Sequence, residues 1–210
     1  MPIVGIYREL GEGEEVVYES KEAVPIVVVK ELEVRRLMGV ERKEHPLIYA
    51  IAHVYLTNRR LMILALHQLE SHELLEHRAP RMATRSGAWL EMPISSISLV
   101  DLRSVDVKRD HRLVGFLEWG GFKELVGDRV PAVELIYDDR QASGRVKDYV
   151  DVVSSMGVLV KDYRKVERSS DKLLLIGERM VEDFMPALKG LMERPIEIRE
   201  AEERIVSGEE

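Results

Sequence analysis

Cysteine is absent from the 210 residues. That excludes disulfides, thiolate nucleophiles and cysteine metal sites together, and leaves His, Asp and Glu as the strong metal ligands. Amide side chains are nearly missing, Asn58, Gln68 and Gln141 being the only ones. Few thermolabile amides beside abundant Glu and Arg, with Arg outnumbering Lys roughly two to one, is a pattern of proteins from hot environments, so a thermophilic source is expected. No uncharged apolar run approaches the length of a bilayer span, and Met1 to Glu9 lack a basic stretch followed by an apolar one. The expected location is therefore cytoplasmic, at most peripheral to a membrane.

What is present describes a globular chain. Hydrophobic residues make up 45% and charged residues 33%, enough for one sizeable core and outside the range of disordered chains. The formal net charge of -7 opposes a phosphate backbone, so no nucleic-acid partner is expected.

From Glu15 to Asp139 the punctuation is that of a β-rich protein, short apolar or alternating segments separated by Gly, Pro, Asn and Asp. Val16–Glu19 and Ile26–Val29 read as strands, while Lys30 to Met38 reads equally as a continuing strand or as helix, because Glu31 and Arg35 have helix-pair spacing. Leu47–Thr57 and Leu61–Gln68 are apolar on both faces, as central strands are, and Thr57-Asn58-Arg59-Arg60 supplies the turn between them. Trp89–Ile94, Ile97–Val107 and Ala132–Asp138 read as further strands. Arg112–Trp119 and Phe122–Val126 flank Gly120-Gly121, which predicts a hairpin since both turn positions tolerate positive φ.

Beyond Asp139 the period changes. Val146, Tyr149, Val150 and Val153, behind a cap at Ser143, predict an amphipathic helix. Ser169-Ser170-Asp171 then precedes Leu173, Ile176, Met180, Phe184, Leu188 and Leu191, a second helical stripe that Pro186 should kink or break. The expected organisation is a β-rich domain over 1–139, a helical extension over 140–194 and an acidic tail over 195–210. The fold class is α+β, mainly antiparallel, a barrel or sandwich of about seven strands followed by C-terminal amphipathic helices.

Two segments carry a resemblance. His53-Val54-Tyr55-Leu56-Thr57-Asn58-Arg59-Arg60-Leu61-Met62-Ile63 resembles the tyrosine-leucine-threonine hairpin of GRAM and bacterial-type PH-like domains. Trp89-Leu90-Glu91-Met92-Pro93-Ile94-Ser95-Ser96-Ile97-Ser98-Leu99-Val100 resembles their proline, aliphatic, serine, isoleucine entry to the next strand. The resemblance implies a PH-like barrel plugged at one open end by a helix, serving as a platform for lipid headgroups, peptides or proteins. The region from Gln141 to Val166 exceeds that pattern as an insertion or an added partner-binding element, and the early basic loop of phosphoinositide-binding relatives has no clear counterpart.

The candidate sites follow from residue chemistry. His77, Arg78, Arg81 and Arg85 lie in a stretch without acidic residues from His77 to Leu90. Guanidinium forks suit bidentate phosphate or carboxylate recognition, so these four form the expected anion site, with ion pairing to nearby glutamates as the plainer alternative. His72-Glu73-Leu74-Leu75-Glu76-His77 superficially resembles the zincin signature. Histidines five apart point about 140° from one another, however, so local i, i+4 pairing is expected and no metal site. Ser169-Ser170-Asp171-Lys172 has serine-enzyme spacing without its companion elements, and helix capping explains it better. Trp119 and Phe122, at the expected hairpin tip, are candidate partner-binding aromatics.

No constellation supports catalysis and no cofactor is expected. The expected function is a non-enzymatic binding module for an anionic ligand such as a lipid headgroup, or for a protein partner. The alternatives are a structural subunit of an oligomer, including a homo-oligomer, and a metal-dependent hydrolase built on His72 and His77.

Overall fold

The structure, a computed structural model, describes residues 3–4, 8–70, 81–83, 88–127, 129–148, 166–192 and 198–200. It is mainly antiparallel sheet. After the short pair β1 (Ile3–Val4) and β2 (Arg8–Glu9), the main strands are β3 (Val16–Glu19), β4 (Val24–Arg36), β5 (Gly39–Thr57), β6 (Arg60–Glu70), β7 (Arg81–Ala83), β8 (Ala88–Pro93), β9 (Ile97–Asp106), β10 (Arg129–Tyr137), β11 (Val166–Ile176) and β12 (Ile198–Glu200). They assemble in the order β12-β9-β10-β11-β4-β5-β6-β7, with β3 on the far end of β5 and β8 beside β6. Every pairing in that order is antiparallel except β12 with β9.

Strand alternation explains why the centre is apolar on both faces. Ile26, Val28, Ile48 and Ala50 point into one core with Leu90, Leu135, Leu173 and Leu175. The intervening Val27, Tyr49 and Ile51 join Val130, Ala132 and Ile176 in a second cluster on the opposite face. Register shifts at Val28/Val29 and Ile51/Ala52 bend the long strands, as an unpaired extra residue does.

The second face is covered by α1 (His111–Gly120), where the Gly-Gly reading predicted a hairpin. Asp110 caps it, its carboxylate accepting from the Arg112 and Leu113 amides, while the Tyr49 hydroxyl donates to the other oxygen at 2.9 Å. Leu113, Phe116 and Leu117, at helical spacing, are buried against the sheet. Gly121, with φ 86°, closes the helix in the left-handed conformation, and the Phe122 amide bonds back to the Leu117 carbonyl at 2.9 Å. A Cβ on Gly120 would stand 2.3 Å from Ile51 Cδ1. The glycine pair therefore serves close approach and helix termination. Phe122–Val126, also expected as strand, contains a single turn over Lys123–Leu125.

The second correction is β11. Ser169-Ser170-Asp171, expected as a helix cap, lies inside a strand held between β10 and β4. Leu173 and Leu175 face one core, and Leu174 and Ile176 the other. Three consecutive leucines carry no period, so the helical stripe beginning at Met180 was extended backward by accident of spacing. Helical structure starts after Gly177 (φ 129°), runs as a wide turn over Met180–Phe184 and continues as α2 (Met185–Leu191). Pro186 lacks an N–H, and the widened turn immediately before it absorbs the missing bond without ending the helix. Met180, Phe184, Met185 and Leu188 pack into the first core. Of the helix expected behind Ser143, residues 145–148 are helical, Val146 is buried, and the rest lies outside the described residues.

Candidate functional site

Apolar core residues on β4 and β5 stop at Val28 and Leu47, but both strands run on. Beyond the core they form an arm with pairs Glu31↔Glu44, Leu32↔Lys43, Glu33↔Arg42, Val34↔Glu41, Arg35↔Val40 and Arg36↔Gly39. Leu37 and Met38 make the two-residue connection, and Gly39 (φ 137°) takes the strained turn exit. β11 flanks the arm as far as Val166↔Val34, so the stem is three-stranded and the final pairs are two-stranded. Of the stretch Lys30 to Met38, which read equally as strand or helix, Lys30 to Arg36 is strand and Leu37-Met38 is the turn.

Buried ion pairs replace apolar packing at the root of the arm. On the first-core face, Lys30 Nζ lies 2.5 Å from Asp171 Oδ1 and 2.7 Å from Asp139 Oδ2. Burial pulls the Lys30 ammonium down, but Asp171 and Asp139 together outweigh it and hold its pKa above the ordinary value. On the opposite face Lys172 Nζ sits 2.5 Å from Glu44 Oε1 and 3.0 Å from Glu31 Oε2, tying β11 to both strands of the arm. Further out, Arg42 bridges to Glu33 at 2.8 Å.

The tip presents the reverse arrangement. Leu37 and Met38 are 103% and 101% exposed, and Val40 is also exposed. Residues 33–43 hold four basic and two acidic residues, a net of +2 on a chain whose total is -7. The register sets Arg35 and Arg36 on the strand entering the turn, and Arg42 and Lys43 on the strand leaving it. Two exposed apolar side chains in a segment whose sequence carries net positive charge suit a surface that is anionic outside and apolar beneath. Sequence reasoning missed this feature because neither Leu nor Met is a turn former.

Other candidates fall in different places. His77, Arg78, Arg85, His72 and the rest of the zincin-like segment lie outside the described residues, and Arg81 is in β7 opposite Glu70. Among the described residues no group of three or more His, Asp or Glu side chains could hold a metal ion. Trp119 is 46% exposed at the end of α1, its ring 6.2 Å from that of Phe116. Phe122 is half-buried and lines a cleft of about 480 Å³ with Tyr18, Leu125, Arg129, Ile176 and Met180.

The residues of the PH-like resemblance hold turns together. The Thr57 hydroxyl, fully buried, accepts from the Arg59 and Arg60 amides and donates to Glu14 at 2.8 Å. Arg60 in turn bridges Glu14 and Glu91, each at 2.8 Å. Ser96 donates to the Pro93 carbonyl at 2.7 Å in the turn between β8 and β9. No family model, curated protein or solved structure matches this chain.

Proposed function

We propose that the chain is a non-enzymatic binding module of PH-like architecture that docks on an anionic lipid surface through the tip of the β4–β5 arm. The observation that carries this reading is the full exposure of Leu37 and Met38 between Arg35, Arg36, Arg42 and Lys43. Each basic residue near an anionic membrane contributes about 1 kcal/mol, and shallow burial of two aliphatic side chains adds a second, independent attraction. Neither alone gives stable attachment.

The architectural part rests on connectivity. β4, β5, β6, β8, β9, β10 and β11 come in that order along the chain, with the short β7 between β6 and β8; the first of them is hydrogen-bonded to the last, and the helical segment after β11 contributes to the core they share. That succession supports a helix-plugged barrel. α1 and residues 139–165 are then insertions in two of its connections.

Sedimentation with phosphatidylserine-containing vesicles, against pure phosphatidylcholine, tests the reading. Wild-type protein is expected to co-sediment only with the anionic vesicles, and Leu37→Ser/Met38→Ser or Arg35→Gln/Arg36→Gln to abolish this. Equal behaviour of wild type and both variants removes the arm from consideration. Arg78→Ala/Arg81→Ala/Arg85→Ala, assayed alongside, measures what the basic segment contributes. A second reading, a protein partner seated over Trp119 and the Phe122 cleft, is favoured by the half-exposed indole. It requires capture of a partner that survives the arm variants and is lost in Trp119→Ala.

A further inference from the structure

The outer face of the sheet at the arm root gathers four carboxylates, two of them buried, around Lys172 and Arg103. Glu134 on β10 stands directly opposite Asp101 on β9 and beside Leu174 of β11. The groups that face it are Asp101 and Arg103 from β9, Lys172 from β11 and Glu44 from β5, with Glu31 of β4 reached through Lys172. Arg199 of β12 lies in register with Asp101. Four carboxylates thus gather about Lys172 and Arg103, and Lys172 is already committed to Glu44 and Glu31.

Arg103 is the cation with a direct contact to the pair among the described residues. Its Nη2 pairs with Glu134 Oε1 at 2.8 Å, while Asp101 Oδ1 and Arg103 Nε are buried without a hydrogen-bond partner among the described residues. The two carboxylic residues are only 3% and 7% exposed. Two buried carboxyl groups on directly opposed side chains, whose Cβ atoms in such a pair lie about 4.5–5.5 Å apart, one of them with an unpartnered oxygen, lack one thing: a donor between them. A single proton supplies it.

We propose that Glu134, buried directly opposite Asp101, binds a proton, and that its release draws Lys172 away from Glu31 and Glu44 and loosens the arm at its root. Burial, opposed by Arg103 and Lys172 and reinforced by Glu44 and Asp101, raises the Glu134 carboxyl to about 7, which agrees with the charge count. With the proton bound, Glu134 is neutral and donates to Asp101, while Lys172 stays on the arm. Once it is lost, two adjacent buried carboxylates compete for Arg103, and Lys172 is the next cation within reach. The consequence for docking rests on the lipid-surface reading; the protonation itself does not.

The test is a carbon-detected carboxyl titration of the whole chain by NMR, without lipid. Glu134 is expected to titrate near 7, and the Glu31 and Glu44 amide signals to move with the same midpoint. Asp101→Asn should lower that midpoint by removing the opposing charge. Glu134→Gln should freeze the Glu31 and Glu44 signals across the same range. A Glu134 midpoint below about 5, in the ordinary carboxylate range, overturns the proposal. So do Glu31 and Glu44 signals that ignore the transition. If Glu134→Gln does not fold, the Asp101→Asn shift decides alone. Vesicle sedimentation at pH 6 and pH 8 is the separate arm. Wild type that binds no vesicles at either pH refutes the docking reading while leaving the titration result standing.

Discussion

The body of the sheet and the arm that leaves it are made of the same two strands held by opposite means. Inside the body, β4 and β5 are sealed on both faces, by the first core and by α1. Past Val28 and Leu47 their partners become Lys30 with Asp171 and Asp139, and Lys172 with Glu31 and Glu44. Apolar packing is non-directional and tolerates repacking. Buried ion pairs are directional, and they fail when one member is removed. The body should therefore respond to lost volume and the arm root to lost charge balance.

The largest effect is expected from Lys30→Met, which strands Asp171 as an uncompensated buried carboxylate and should cost about 3–5 kcal/mol in urea unfolding. Lys30→Met/Asp171→Leu should recover most of that loss. If the double variant is as unstable as the single one, the pair is not what holds the root.

Next in size is the pH dependence set by Glu134. Its folded pKa, raised to about 7, lies above the ordinary carboxylate value of 4.5. Its contribution is therefore complete below pH 4.5, is lost as pH rises through 7, and stays lost above. Wild type should lose on the order of a few kcal/mol across that interval on this account. Glu134→Gln should flatten the loss and be the more stable protein at pH 8, as thermal melts at several pH values will show. A wild-type curve already flat between pH 5 and 8 contradicts the assignment.

Asp110→Ala removes the α1 cap and the Tyr49 partner together, an expected loss of about 1–2 kcal/mol. Asp110→Asn, which keeps an acceptor, should lose less. The smallest change belongs to Leu37→Ser/Met38→Ser, whose side chains touch nothing that folding buries. Stability should stay within about 0.5 kcal/mol of wild type while vesicle binding disappears. That contrast separates the arm tip from everything beneath it.

Legibility in the sequence followed the same division. The β5–β6 pair and its Thr57–Arg60 turn were readable because both strands are apolar on both faces and the turn has Thr and Asn where they are needed. α1 was hidden by Gly120-Gly121, a pair that fits a hairpin as well as a helix end. Asp110 with Leu113, Phe116 and Leu117 was the signal that distinguishes them. β11 was hidden by Leu173-Leu174-Leu175, which satisfies either period. The arm was ambiguous because Glu31 and Arg35 have helix spacing, and its connection carries no glycine, asparagine or aspartate at the two turn positions. Glu134 could not be singled out among so many glutamates, since only the register that brings it opposite Asp101 makes it unusual.

β12 lies parallel to β9 and shields only Val100, Asp101 and Leu102 of a strand that runs from Ile97 to Asp106. A sheet margin left bare invites another copy to add its own strand. This three-residue cover makes Ile198–Glu200 a colloidal safeguard, and breaking it with Arg199→Pro should make particle size grow with protein concentration in light scattering.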